Sequence, residues 1–240
     1  MNKVIHYFWF GKKEKPRIFK TCLKSWKKYL PNWEIKEWNE TNINLYKNEF
    51  TRFAYDNGNW SLLSDYFRVD ILEQYGGLYF DVDVEVIGDL SSILDKKEPF
   101  LGFELSNQVA SGLIMYFPEP HNKCLQDLLN VVESKLDLVK DTLFKTTMVN
   151  WVTDYFVGHG LIIDGSEQII EGIHIYPADY FCPINPTWHI QKFTSNTRTI
   201  HHYLGSWYLG KDVIIVQLKR LIFKFLHPIN YIKLLKARHL

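Results

Sequence analysis

With 240 residues and 46% hydrophobic content, the chain can bury a full core in one large domain, and this composition excludes a disordered chain. The net charge of +1 hides a split: residues 211–240 carry seven Lys or Arg against one acid, Asp212, a net +6, and the preceding 210 residues sum to −5. No uncharged apolar run reaches the about 18 residues that span a bilayer, and Cys22, Cys124 and Cys182, odd in number and widely spaced, fit neither a disulfide framework nor a zinc site.

The opening "KVIHYFWF" is rich in β-branched and aromatic residues and ends at Gly11, which predicts a first strand rather than a signal peptide. Pro16 opens a helix in which Ile18, Cys22, Leu23, Trp26 and Leu30 recur at helical spacing, and Pro31 stops it. "WEIKEWN", residues 33–39, predicts a second strand. This β-α-β beginning is the mark of a sheet covered by helices.

Ser61 is the expected N-cap of a helix over 62–75, ended by the Gly76-Gly77 turn, and "LYFDVDVEV" is expected to follow as one strand. Further strands are predicted at "FLGFE", "SGLIMYF", "IHIYP" and "RTIHHYL", with helices over 119–138 and 146–156. No repeat and no low-complexity linker precedes residue 210, so the expected division is one large domain over 1–210 and a tail over 211–240.

Two carboxylates, Asp81 and Asp83, punctuate the apolar run "LYFDVDVEV". Burying a carboxylate without a partner costs several kcal/mol, so the run calls for a compensating ligand. Carboxylates two residues apart on a strand point the same way, and ligands of open α/β sheets bind beyond the strands' carboxyl ends. A hard divalent cation, Mg²⁺ or Mn²⁺, fits both facts, and because such ions keep positions for phosphate oxygens, a phosphorylated ligand is implied. Asp65 and Arg68, three apart on the preceding helix, share a face just before this strand.

Taken together, "SDYFRVDILEQYGGLYFDVDVEV", the opening "IHYFWFG" and the closing "IHHYLGSW" resemble the family 32 glycosyltransferases, the group of the yeast initiating mannosyltransferase and many bacterial capsular-polysaccharide enzymes, and more distantly the large clostridial glucosylating toxins. The resemblance covers about residues 3–207 in order. It implies an α/β GT-A fold, Rossmann-like in its nucleotide-sugar binding, with the tail as a helical appendage. It also implies a nucleotide-sugar donor, a Mn²⁺ or Mg²⁺ cofactor and transfer with retention of anomeric configuration. By that resemblance Asp81 and Asp83 are the D-x-D, with Asp83 on the metal and Asp81 reaching the donor ribose. Asp65 and Arg68 hold the donor sugar, Tyr79 lies beside the nucleotide, Trp9 stacks on the base, and Asn39 contacts the donor. His202 fits an H-x-x-G spacing that supplies the last metal ligand, with Ser206 and Trp207 near the diphosphate. The toxins carry an asparagine-centred version at that point.

Trp9 at a strand end also suits the core, the Asp65/Arg68 pair also suits a helix-surface ion pair, and His201 competes with His202. The implied donor is UDP-hexose, with GDP-mannose as the second candidate, and the acceptor is a hydroxyl of a glycan or lipid-linked oligosaccharide in surface-polysaccharide synthesis. No protein nucleophile is assigned; Glu104, in "GFELSN", is the first residue to examine for a covalent intermediate and otherwise reads as an acceptor-side or structural carboxylate. Two other readings stay open: a haloacid-dehalogenase-type phosphatase, whose D-x-D belongs to its first strand, and a sugar-nucleotide-binding protein without turnover. In the tail, Gln217, Arg220, Lys224 and His227 fall on one helical face opposite Ile214, Leu218, Leu221, Ile222 and Phe225. That pattern suits either a helix docked on the domain or a peripheral anchor on an anionic membrane. A cytoplasmic enzyme, peripheral at the inner face of the membrane if the tail anchors it, is the expected setting, and no nucleic-acid partner is expected.

Overall fold

Strand β1 (Val4–Phe8) lies inside the sheet, flanked in parallel register by β2 (Glu34–Trp38) and β3 (Gly77–Tyr79). The computed structural model describes residues 2–105, 107–142, 148–185 and 192–203. Helix α1 (Arg17–Tyr29) makes the crossover between β1 and β2, so the β-α-β beginning is present as read. The path through the large sheet is β2-β1-β3-β7-β5-β9-β8, with β5 (Phe100–Leu105), β7 (Met115–Phe117), β8 (Gln168–Ile170) and β9 (Ile173–Tyr176); β6 (Gln108–Ala110) pairs with β5. From the pairings, β2, β1, β3, β5 and β9 run one way while β6, β7 and β8 run the other, a mixed α/β sheet whose carboxyl ends fall mostly on one edge.

Alternation along the strands sends Ile5, Tyr7, Leu78, Phe100 and Tyr116 into one core, with Phe19, Cys22 and Trp26 of α1 and Ile93 of the short α4 (Ser91–Leu94), and sends Phe8, Tyr79, Leu101, Phe103 and Phe117 into the other. The second core is covered by α2 (Glu49–Asp56), α3 (Trp60–Tyr75), α5 (Lys123–Ser134) and α7 (Met148–Gly158). The three cysteines are buried and none is in a disulfide.

Several boundaries differ from the expectations, each for a local reason. Helix α3 is capped by Asn59, whose Oδ1 accepts the Leu62 N–H at 3.1 Å, and not by Ser61. A helix absent from the sequence reading, α2, precedes it, started by a reciprocal Asn48/Thr51 capping box. The helix expected over 119–138 begins only after Asn122, which caps the Cys124 N–H at 3.0 Å; it ends at Ser134, and a separate turn, α6 (Leu136–Thr142), follows.

"LYFDVDVEV" is not one strand. Its first part, β3, pairs with β1 and β7 and stops at Tyr79; its last part, β4 (Val84–Val86), pairs antiparallel with β10 (Thr199–His201) in a separate two-stranded sheet. Between them the chain turns, closed by the Val84 N–H donating to the Asp81 carbonyl at 3.0 Å. The D-x-D therefore lies in a turn past the carboxyl end of β3.

Two buried groups hold this junction. The Trp26 indole N–H donates to the Val84 carbonyl at 2.8 Å, and Ser25 Oγ accepts the Val86 N–H at 2.9 Å, so α1 pins β4 directly after the aspartates. Trp26 is fully buried, and truncating such a side chain costs about 3–5 kcal/mol. On the other side, His6 links Gly76 and Trp38. Its Nε2 lies 2.9 Å from the Gly76 carbonyl, and its Nδ1 accepts the Trp38 indole N–H at 3.1 Å, which makes the ring a neutral Nε2–H tautomer. Burial pulls this imidazole down to about 4, the Gly76 carbonyl opposing and Lys36 adding. Gly76 and Gly77 have φ of +63° and +100°, and a Cβ on Gly77 would lie 2.7 Å from the Val4 carbonyl oxygen, so the tight entry into β3 needs glycine.

Candidate metal centre and donor site

The order β2-β1-β3 lines up Asn39, Trp9 and Asp81 just past the carboxyl ends of three neighbouring parallel strands, the edge at which α/β sheets receive ligands. The Trp9 N–H donates to the Trp38 carbonyl at 3.0 Å. The ring itself is half-buried and belongs to neither core, with its indole N–H donating to the Lys13 carbonyl at 2.7 Å. Asn39 is half-buried, and its Oδ1 accepts the Thr41 N–H at 2.9 Å while its Nδ2 reaches Glu37 at 3.2 Å, so its side chain shapes the loop after β2. Trp60, from the start of α3, packs over Gly11 so closely that a Cβ there would lie 2.6 Å from the indole nitrogen.

Around Asp81 the charges interlock. Arg68 is buried, with one nitrogen 2.8 Å from Asp65 Oδ1 and 3.4 Å from Asp81 Oδ1, its Nε 3.3 Å from the Ser64 carbonyl, and its guanidinium 4.9 Å from the centre of the Tyr79 ring. The expected Asp65/Arg68 pair is therefore joined to the D-x-D rather than displayed on a helix surface. Burial pushes the Asp65 carboxyl up to about 6, with Arg68 opposing and Asp81 adding. Tyr79 is only 1% exposed, and its hydroxyl donates to Asp81. The structure places it beneath Arg68 and Asp81, as their support.

Asp81, Asp83 and His201 each offer a ligand atom, and these atoms lie within 4.8 Å of one another. His201 Nε2 is 3.1 Å from Asp83 Oδ1 and 3.8 Å from Asp81 Oδ2. Burial would lower this imidazole, but Asp83 first, then Asp81 and Glu104, raise it to about 9. Two carboxylates and an imidazole form an oxygen-rich donor set that suits Mn²⁺ or Mg²⁺, the imidazole favouring Mn²⁺. His202, the residue expected here from its glycine spacing, instead sits 2.8 Å from Glu85 Oε2. Neighbours on a strand face opposite ways, and β10 continues its pairing with β4 to put His201 on the aspartate side and His202 on the Glu85 side. Ser206 and Trp207 lie outside the described residues, as does the tail over 211–240.

The sequence reading also passed over Gly112, in the turn between β6 and β7. A Cβ there would lie 2.8 Å from both Arg68 Nη1 and Asp81 Oδ2. A glycine just ahead of the apolar run "LIMYF" was the available signal.

Residues 16–100 match the family described as glycosyltransferase sugar-binding region containing DXD motif. The matched span holds α1, β2, α2, α3, β3, the D-x-D turn and β4, and so most of the site. The PaToxG glycosyltransferase superposes at a TM-score of 0.52 over 65% of this chain and 69% of its own, with 14% identity, and the GT-A type of fold agrees with that likeness. Two further glycosyltransferase structures are also similar to this chain. One is involved in the glycosylation of the major capsid of PBCV-1, with TM-score 0.42, 11% identity and coverage of 89% and 98%. The other is GlyE of Streptococcus pneumoniae TIGR4, with TM-score 0.42, 13% identity and coverage of 75% and 46%. No curated protein matches.

Proposed function

We propose that this protein is a metal-dependent, retaining glycosyltransferase that moves a hexose from a nucleotide sugar to a hydroxyl of a glycan or lipid-linked acceptor. The observation that carries the reading is the convergence of Asp81, Asp83 and His201 beyond β3, with Arg68 fixed alongside; Arg68 and both aspartates lie in the span 16–100 that matches the DXD sugar-binding region. A Mn²⁺ or Mg²⁺ ion held by these three residues would offset the charge that develops on the leaving diphosphate.

The protein's own groups prepare the rest. Arg68 is held by Asp65, by the Ser64 carbonyl and by the Tyr79 ring, so its cation is already in place for a sugar hydroxyl or a diphosphate oxygen. Such a preset charge costs no reorganisation at the moment of reaction. Asp65, rendered less acidic by burial, is suited to hydrogen-bond the donor sugar. Trp9 offers a half-buried ring face at the end of β1 for the base. An acceptor hydroxyl arriving on the face from which the diphosphate leaves accounts for retention without a protein nucleophile.

UDP-hexose is the proposed donor, with GDP-mannose second, and surface-polysaccharide synthesis is the proposed setting. No helix among the described residues is long and apolar enough to cross a membrane. The basic tail is proposed to bring the enzyme to an anionic membrane surface, where lipid-linked acceptors reside. The reading is tested by release of nucleotide from a panel of sugar nucleotides with Mn²⁺, with and without acceptor. Donor binding with no turnover on any acceptor would favour a sugar-nucleotide-binding protein instead.

A further inference from the structure

The outer face of α1 carries one sign of charge. Arg17, Lys20, Lys24, Lys27 and Lys28 are exposed, Thr21 is the other exposed position, and the helix holds no acid. Spacings of three and four residues put these cations in one stripe, about 16 Å long at the helical rise. Residues 12–33 hold eight Lys or Arg against one acid, Glu14, although residues 1–210 together sum to −5. Lys15 pairs with Glu37 at 2.8 Å, whereas Arg17, Lys20, Lys24 and Lys27 make no ion pair among the described residues. Like charges at these spacings weaken a helix, and Arg17 and Lys20 lie in the first turn, where the helix dipole opposes cations. The stripe works against the helix that carries it, and an anionic ligand would compensate both effects.

Beside the stripe, α1 and the edge strand β2 bound an open cavity of about 620 Å³ whose lining includes Lys27, Leu30, Pro31, Trp33 and Ile35. Trp33 is half-buried, and the Tyr116 ring braces it edge-on with centres 6.2 Å apart. The apolar side of α1 is already buried in the core through Phe19, Cys22 and Trp26, so the helix has no apolar face left to enter a bilayer. A recessed aromatic ring beside a row of cations suits a saccharide chain with acid groups instead. Sugar rings pack on the indole, and carboxylate or phosphate groups meet the lysines. At its other end the stripe leads toward the donor site. The loop before α1 carries the exposed Lys12 and Lys13, and the Lys13 carbonyl accepts the Trp9 indole N–H at 2.7 Å.

We propose that the α1 stripe and the Trp33 groove bind an acidic glycan, a saccharide chain bearing carboxylate or phosphate groups, as the acceptor polymer of this enzyme. The chain lies along α1 from the groove to the loop beside Trp9, which brings its end to the edge where the donor is held. The acceptor role rests on the transferase reading, whereas the binding of an acidic glycan does not.

The test is titration of the full chain, without donor, with oligogalacturonate and phosphomannan as acidic glycans, dextran as a neutral glycan and polyphosphate as an anion without sugar rings. The variants are a combined Lys20→Glu, Lys24→Glu, Lys27→Glu chain and Trp33→Ala, each with its thermal midpoint. The wild type is expected to bind at least one acidic glycan and not dextran. The triple variant should lose that affinity about tenfold or more, as losing cation contacts to a polyanion does, with no fall in midpoint. Trp33→Ala should weaken the acidic glycan about tenfold and leave polyphosphate within about twofold. Wild-type glycan affinity in the triple variant, or a loss confined to its flotation with anionic vesicles, would overturn the proposal. Trp33→Ala without effect on glycan binding would overturn it too, leaving a surface for any polyanion. If these shifts appear while no sugar nucleotide is turned over with any acceptor, the transferase reading fails and the glycan site stands.

Discussion

His201 and Asp83 meet at 3.1 Å across 118 positions of sequence, because β10 returns from the far end of the described chain to pair with the three residues that follow the D-x-D. The same pairing sets His202 against Glu85 at 2.8 Å, so two adjacent histidines serve separate carboxylates.

The two histidines should therefore separate in experiment. His201→Asn is expected to lose most Mn²⁺ affinity. His202→Asn, which removes one hydrogen bond to the buried Glu85 carboxylate, should cost about 1 kcal/mol of stability and leave metal binding within a few-fold. Urea denaturation and Mn²⁺ titration of both variants check this; the reverse pattern would restore His202 as the ligand.

Gly112→Ala should act on the site rather than on the fold. The added methyl group comes within 2.8 Å of Arg68 Nη1 and Asp81 Oδ2 and must push apart groups that Asp65 and Tyr79 hold in place. The expected result is a loss of transfer of about 100-fold, since small misplacements of reacting groups are this costly, with a thermal midpoint near that of the wild type. Unchanged kcat/KM would remove Gly112 from the site.

Trp9→Ala should raise the donor KM about tenfold or more, as loss of one aromatic stacking platform for a base does. Because the ring is half-buried and outside both cores, stability should fall by far less than the about 3–5 kcal/mol of a core tryptophan such as Trp26. A large drop in midpoint with unchanged donor KM would assign Trp9 to packing.

His6 makes stability depend on pH. Its folded value of about 4 lies below the usual 6.5, so between those pH values the unfolded chain binds a proton that the folded chain does not. Its contribution is complete above about pH 6.5 and is lost as pH falls toward 4, a change of about 3 kcal/mol. Urea unfolding at pH 7 and pH 4.5 should show this loss, and His6→Asn, though less stable at pH 7, should show a flatter profile. Parallel profiles for the two proteins would contradict the neutral, doubly bonded His6.

Much of this architecture was legible in the sequence. The apolar runs bounded by Gly11, Pro16 and Pro31 marked β1 and α1 because those residues stop elements by backbone chemistry alone. Asp65 and Arg68 could be placed on one face by helical period. What could not be read was set by distant pairing. The break in "LYFDVDVEV" depends on β10 capturing Val84–Val86, and the choice of His201 depends on the phase of that ladder. Asn59 displaced Ser61 as a cap because both are good caps and the loop from α2 decides which one is free to turn. Gly112 joins the site through the turn between β6 and β7, a contact no local pattern encodes.

The tail over 211–240, with its net +6, should carry the membrane affinity. The full chain is expected to float with anionic liposomes and not with neutral ones, and a chain ending near Gly210 should float with neither. Equal, negligible binding of both chains to anionic vesicles would assign the tail to domain packing.

The proposed role of Asp81, Asp83 and His201 is to hold a divalent ion that assists departure of the nucleotide. Its most direct test is nucleotide release from UDP-hexoses and GDP-mannose by the wild type and Asp83→Asn, each in Mn²⁺ and in excess EDTA. The wild type is expected to release nucleotide from at least one donor in Mn²⁺, with near-complete loss in EDTA and in a still-folded Asp83→Asn. Equal release in EDTA, or by Asp83→Asn, would contradict it.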